Sequence, residues 1–250
     1  MSTSSTALIG GITGGIGQTL AAILADRGWN IAGYARTESS LHALAATRPG
    51  WLLQPADARH RPALDSITQA VTERFGRIDA YFHCIGSILL KPAHLTTTPE
   101  WSHTLEANLT SAFYALQAVL TPMQAQGGGV ILFVSSAAAQ TGLPNHEAIA
   151  AAKGGLDALV RSAAATYAPR NIRVNAVAPG LVDTPLAAPL LGSEAARLAS
   201  GKLHPLGRVG RPENIASLLA WLASPEADWV TGQIWSVDGG LAHVRGKPKV

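Results

Sequence analysis

The chain has 250 residues, enough for one sizeable core and a length at which α/β proteins commonly form a single domain. It is 47% hydrophobic and 14% charged, the balance of a packed globule, and a net charge of +3 is too small for a nucleic-acid footprint. Gly, Pro or charge interrupts every apolar stretch before membrane-spanning length, the start Met1-Ser2-Thr3-Ser4-Ser5-Thr6 lacks the pattern of a signal peptide, and the lone Cys84 excludes an intrachain disulfide. These features predict a cytoplasmic protein with no membrane, nucleic-acid or metal partner. Arg245, Lys247 and Lys249 read as a solvated basic end.

Short apolar runs alternate with helix-like segments. In chain order the reading is strand Ala7–Gly10, helix Gly15–Arg27, strand Asn30–Ala35, helix Glu38–Thr47, strand Trp51–Gln54, helix Arg61–Phe75 and strand Ala80–Cys84. Helix Pro99–Gln126, strand Val130–Ser135, helix Glu147–Tyr167, strand Arg173–Val177, helices Ser193–Ser200 and Pro212–Ala223, and strand Ile234–Val237 follow. Strands that alternate with helices and are apolar along most of their length predict an α/β fold, a doubly wound parallel sheet of about seven strands with helices on both faces. No repeat or linker divides the chain, so residues 1–250 read as one domain. Residues 1–5 read as a flexible tail, and the poorly patterned stretch 184–204 as a mobile substrate lid.

The first strand runs into Gly10-Gly11-Ile12-Thr13-Gly14-Gly15-Ile16-Gly17, and a helix follows at once. Glycines there let the backbone turn tightly and approach a pyrophosphate, while the helix points its positive end at the charge. Gly11, Thr13, Gly15, Ile16 and Gly17 are therefore candidate cofactor-binding residues of a single-domain Rossmann-type fold. At the end of the second strand an acid would accept from an adenosine ribose and repel a 2′-phosphate. Here Ala35 is neutral, Arg36 can grip a phosphate in a charge-assisted fork, and Thr37 stands beside it. This favours NADP(H) over NAD(H).

Gly11-x-x-x-Gly15-x-Gly17 resembles the glycine motif of the classical short-chain dehydrogenase/reductase family, and the resemblance extends over nearly the whole chain. The family usually has threonine where this chain has Gly10. It has Asn-Asn-Ala-Gly where this chain has His83-Cys84-Ile85-Gly86, so Gly86 alone matches that border of the nicotinamide ribose. His83 reads as a buried structural residue or, less naturally, a catalytic one, and Cys84 as a small core residue. Asp57 matches the family aspartate that contacts the adenine amino group, and it also suits a turn or helix cap. Asn108 matches the asparagine that kinks its helix and holds a relay water. Ser136, at the end of a strand and thirteen residues before position 149, matches the substrate-binding serine. Lys153 matches the lysine that holds the ribose hydroxyls. Pro179, Gly180, Val182 and Thr184, in Asn175-Ala176-Val177-Ala178-Pro179-Gly180-Leu181-Val182-Asp183-Thr184, match the segment beside the nicotinamide. The C-terminal part from Pro205 to Gly240 resembles the region that packs family members into oligomers, which implies a tetramer or a dimer.

One position breaks the pattern. The family has Tyr-x-x-x-Lys where this chain has Ile149-Ala150-Ala151-Ala152-Lys153. Isoleucine cannot do general acid–base work. His146, three residues before Ile149 and seven before Lys153, can share their helical face and titrates in a suitable range. Glu147 points to another face, and His204, in the lid, is a weaker candidate for the same role. Three functions stay open. The first is an oxidoreductase acting on a small, apolar carbonyl or alcohol with a substitute proton donor, such as His146 or a water on Asn108. The second is a reductase of an activated C=C bond, as 2,4-dienoyl-CoA reductases resemble this family and also lack the tyrosine. The third is an NADP(H)-binding sensor or partner protein without useful turnover.

Overall fold

The computed structural model describes residues 4–245. Seven parallel strands form one sheet: β1 (Thr6–Gly10), β2 (Asn30–Ala35), β3 (Leu52–Pro55), β4 (Ala80–His83), β5 (Gly129–Val134), β6 (Ile172–Pro179) and β7 (Ile234–Val237). Their order is β3-β2-β1-β4-β5-β6-β7, the doubly wound arrangement that the alternating pattern predicts. The strand order reverses between β1 and β4, with Gly10 opposite His83. A crevice opens beyond their carboxyl ends, the place where such folds bind ligands.

Side chains alternate between the two faces of the sheet. Leu8, Tyr34, Tyr81, Ile131, Phe133 and Val174 point to one side, where they meet α3 (Arg61–Phe75), α5 (Ser111–Ala125) and α6 (Glu147–Tyr167). Ala7, Ile9, Ile31, Phe82, Leu132 and Val177 point to the other, against α1 (Gly15–Asp26), α2 (Glu38–Thr47) and α8 (Pro212–Leu222). Both faces are covered, which is why the central strands are apolar along most of their length.

Two regions differ from the sequence reading. The expected helix Pro99–Gln126 is divided into α4 (Thr98–Leu105), a π-helical turn Glu106–Thr110 and α5. The cause is local: Asn108 Nδ2 donates to the Thr104 carbonyl and Ser111 Oγ donates to the Ala107 carbonyl, so side chains enter the backbone ladder. Within the stretch 184–204 the expected helix Ser193–Ser200 stands as α7 (Glu194–Lys202), its first turn capped by Ser193, after a 3₁₀ segment Pro185–Leu190. The tail is tied sooner than expected, because the Ser5 carbonyl accepts the Asn30 N–H at 2.8 Å. Residues 1–3, Lys247 and Lys249 lie outside the described residues. Among those described, no helix is long and apolar enough to cross a membrane.

Candidate active site

A cavity of about 250 Å³ lies over the β1–α1 turn and the ends of β2 and β4, lined by Gly11, Thr13, Gly14, Arg36, Thr37, Asp57 and Gly86. Gly11 has φ +76°, and a Cβ there would stand 2.8 Å from the Cys84 carbonyl oxygen. A Cβ at Gly17 would collide with the Gly11 carbonyl, and one at Gly15 would press on Thr184 Cγ2 at 3.0 Å. Glycine at these points lets the turn, the helix and the Thr184 loop close on one another. Gly14 is the N-cap of α1, and no side chain caps the first turn. The amides there are left for an anion. Arg36 and Thr37 stand exposed on the cavity rim.

Asp57 takes the turn role that the sequence allows, its Oδ1 accepting from the Arg59 N–H at 2.9 Å. Both its oxygens accept from Arg59, with Nη2 at 2.6 Å and Nε at 3.0 Å from Oδ2 and Oδ1. The Arg59 hydrogen bond holds its carboxyl at about 2. A second arginine, two residues away, thus answers the aspartate that was expected to face an adenine. Its Nη1 also lies 3.3 Å from His103 Nδ1. The sequence reading missed Arg59 because a loop residue two positions on carries no periodic signal. This end of the cavity holds two guanidinium groups against one carboxylate, a balance that suits a phosphate.

A second cavity of about 150 Å³ adjoins the first. It gathers Ile16, Gly86, Asn108, Ser136, Ile149, Lys153, Pro179, Gly180, Val182 and Thr184 from six different parts of the chain. Asn108 is fully buried; its Oδ1 accepts from the Ser87 N–H at 3.1 Å, and Nδ2 donates to Ser87 Oγ at 2.9 Å. Ser136 Oγ accepts from the Ala138 N–H at 3.1 Å, which leaves its proton to give. Lys153 Nζ donates to the Val134 carbonyl at 2.7 Å, and burial lowers its pKa to about 8. Ser135, next to Ser136, also lines the cavity, and its hydroxyl is committed to Asp157 at 2.5 Å. Ile149 is 5% exposed and presents hydrocarbon to the cavity.

The two histidines offered as substitute acids are not brought there. His146 is the N-cap of α6 with φ −106° and ψ 11°, so the helical phase that would align it with Lys153 has not begun. Its Nδ1 lies 2.7 Å from the Pro144 carbonyl, and the ring is absent from the cavity lining. His204 is buried at 3% exposure behind the Gly180–Leu181 turn, in a different cavity.

The profile of the enoyl-(acyl carrier protein) reductase family matches residues 11–242. A cis-4-hydroxycyclohexanecarboxylate dehydrogenase of Sinomonas cyclohexanicum is 36% identical over 95% of this chain and 96% of its own length. A 3-oxoacyl-[acyl-carrier-protein] reductase of Vibrio cholerae is 34% identical over 94% and 96%. The chain belongs to the short-chain dehydrogenase/reductase family. Among solved structures, an actinorhodin polyketide ketoreductase with NADPH superposes with a TM-score of 0.92 at 29% identity, covering 96% of this chain and 98% of that one. Levodione reductase gives 0.90 at 30% identity, covering 97% and 99%. The protein is an oxidoreductase of this short-chain type.

Two departures of this short-chain dehydrogenase/reductase from the family pattern explain each other. A Cβ at Gly10 would stand 2.6 Å from the Tyr34 hydroxyl and 3.1 Å from that of Tyr81. Two buried tyrosines fill the place that any side chain at position 10 would take. The hydroxyls are 2.8 Å apart, Tyr81 is 2.8 Å from His83 Nδ1, and His83 Nε2 is 3.2 Å from Ser111 Oγ. Ser111 gives its proton to the Ala107 carbonyl at 2.9 Å. It must therefore accept from His83 Nε2–H, and His83 Nδ1 from Tyr81, which in turn accepts from Tyr34. Each proton has one acceptor, so the chain of bonds runs in one direction into the π-helical turn. Burial drives the His83 pKa down to about 3, as a neutral link requires.

Proposed function

We propose that the protein is an NADP(H)-dependent reductase of a small apolar carbonyl compound, the reverse alcohol oxidation being the same chemistry. The observation that carries this is the second cavity, where a serine hydroxyl, an asparagine amide and a lysine ammonium meet walls of isoleucine, leucine and valine. The nicotinamide, when bound, supplies the hydride. Arg36 and Thr37, with Arg59 balancing Asp57, would hold a 2′-phosphate. The capless first turn of α1 would hold the pyrophosphate, and Lys153, Gly180 and Thr184 would border the nicotinamide. NADPH in the ketoreductase structure supports the cofactor reading.

The proton donor follows from what lines the cavity. Cys84 and Lys153 are ionisable groups at its wall. Burial pushes the Cys84 thiol up to about 12, far from a useful donor, whereas Lys153 at about 8 is protonated at neutral pH and able to release a proton. Ser136 donates a hydrogen bond to the substrate oxygen, and the Lys153 ammonium passes a proton to that oxygen as the carbonyl becomes an alcohol. His146 has no part in this assignment.

A second reading, reduction of an activated C=C bond, rests on Ile149. Hydrocarbon fills the place of the family acid, and an enolate oxygen needs only the hydrogen bonds of Ser136 and Lys153. NADPH oxidation by the purified protein separates the two. The panel pairs saturated aldehydes and ketones with their conjugated counterparts. Turnover on the saturated members supports carbonyl reduction, turnover confined to the conjugated members supports the second reading, and binding without turnover would make the protein a cofactor sensor. Arg36→Ala tests the cofactor: NADPH affinity should fall by about tenfold to a hundredfold, the loss of a charge-assisted contact, with NADH affinity unchanged. We further propose that the protein works as a homo-oligomer in the cytoplasm.

A further inference from the structure

His204 sits in a seat made for an imidazole. A Cβ at Gly180 would lie 2.6 Å from His204 Nε2, and one at Gly239, where φ is +62°, would lie 3.3 Å from His204 Cβ. Two chain segments therefore lack side chains where the ring passes. The ring is 3% exposed and ties three elements together. Its Nδ1 lies 2.9 Å from the Ser200 carbonyl in α7, and its Nε2 lies 3.1 Å from the Leu181 N–H in the turn after β6. Its own carbonyl accepts from the Gly207 N–H at 2.7 Å.

These partners fix the tautomer. A carbonyl only accepts, so Nδ1 carries the proton; an amide N–H only donates, so Nε2 carries the lone pair. A protonated ring would confront the Leu181 N–H with a second donor in a buried site. Among the described residues, no charged neighbour is free to relieve that conflict. On the β7 side, Asp238 is committed to the Gly240 and Ala242 amides. On the loop side, Arg208 bonds the Val209 carbonyl and Asn214. On α7 and the turn, Arg197 pairs with Asp183 at 2.6 Å, and Lys202 is exposed.

We propose that His204 is a positioning residue, a strut that ties the end of α7 to the Gly180–Leu181 turn through both ring nitrogens and so holds one wall of the Ser136–Lys153 cavity. Leu181 and Gly180 line that cavity on one side and the His204 cavity on the other, so movement of this turn is felt directly where the nicotinamide is proposed to lie. The strut itself stands apart from the proposed function; its effect on cofactor affinity rests on that reading.

Hydrogen exchange at the Leu181 amide tests it. His204→Phe fills the volume without either bond, and its protection relative to the intrinsic rate should fall by about tenfold or more from the native level, the loss of one hydrogen bond. His204→Gln keeps an acceptor for the amide, so its protection should stay near the native level. NADPH affinity should follow the same order, weakened in His204→Phe and near native in His204→Gln. Native-level protection in His204→Phe, or protection in His204→Gln as low as in His204→Phe, would overturn the proposal. If His204→Phe fails to fold, His204→Leu, smaller and equally without an acceptor, takes its place. Absence of NADPH binding in all three proteins, with the exchange pattern as expected, would sink the cofactor reading and leave the strut standing.

Discussion

At position 149 a hydrocarbon stands among donors. Ser136 and Lys153 keep places from which each can hydrogen-bond an oxygen, Asn108 gives its amide protons to Ser87 and Thr104, and Ile149 closes the group without an ionisable atom. If the rest of the site is intact, Ile149→Tyr should raise kcat for saturated ketones by about a hundredfold, the lower end of what a positioned general acid contributes. Steady-state kinetics on the purified variant would show it, and an unchanged or lower kcat would mean that the cavity cannot orient a phenol. The participants were legible in the sequence where a fixed spacing on one element defines the place, as for Lys153 four residues after Ile149. They were not legible where a bond joins residues across a loop or a cap. Arg59 reaches Asp57 because the loop after β3 folds back, and His146 misses the cavity because the helix starts one residue after it.

Among the elements, the π-helical turn carries the most chemistry for its length. It presents Asn108 to the cavity, and the bond chain from Tyr34 through Tyr81, His83 and Ser111 ends on its Ala107 carbonyl. That chain sets an acid limit on stability. The His83 pKa falls from 6.5 to about 3 in the fold, so the unfolded chain takes up a proton first as pH drops. The contribution of neutral His83 is fully present above about pH 6.5 and is lost progressively toward about pH 3. Chemical denaturation at a series of pH values should show the native protein losing on the order of 2 kcal/mol between about pH 6.5 and pH 4.5 beyond any loss in His83→Asn. Parallel curves for the two proteins would remove the histidine from the account.

On the scale of the whole molecule, one edge of the sheet stands out. Among the described residues β7 is outermost and pairs only with β6, Trp229 is 96% exposed, and Leu206 is 72% exposed. Trp235 in β7 has a buried indole N–H without a partner among the described residues. Unpaired edges and exposed large apolar side chains are features that monomeric proteins avoid, and they support the proposed homo-oligomer. Trp229→Ser should weaken assembly by about thirtyfold, as loss of an interface tryptophan does, with no change in far-ultraviolet circular dichroism. Sedimentation velocity would read it, and a native protein that is monomeric at tens of micromolar (about the range where weak contacts dissociate) would sink the assembly.

The sequence by itself determined the layers and the cofactor turn. Periods of two and 3.6, glycines at fixed spacing and a strand directly before a helix are local properties, written within a dozen or so neighbouring residues. Tertiary structure alone decided how the departures fit together. Gly10 and His83 look like separate losses in the chain, yet parallel pairing places them opposite one another with Tyr34 and Tyr81 between. In the same way it took His204 out of the lid chemistry and seated it under Leu181. A hydrogen bond between residues far apart in sequence leaves no periodic trace, because its geometry exists only once the sheet and the helices have closed around it.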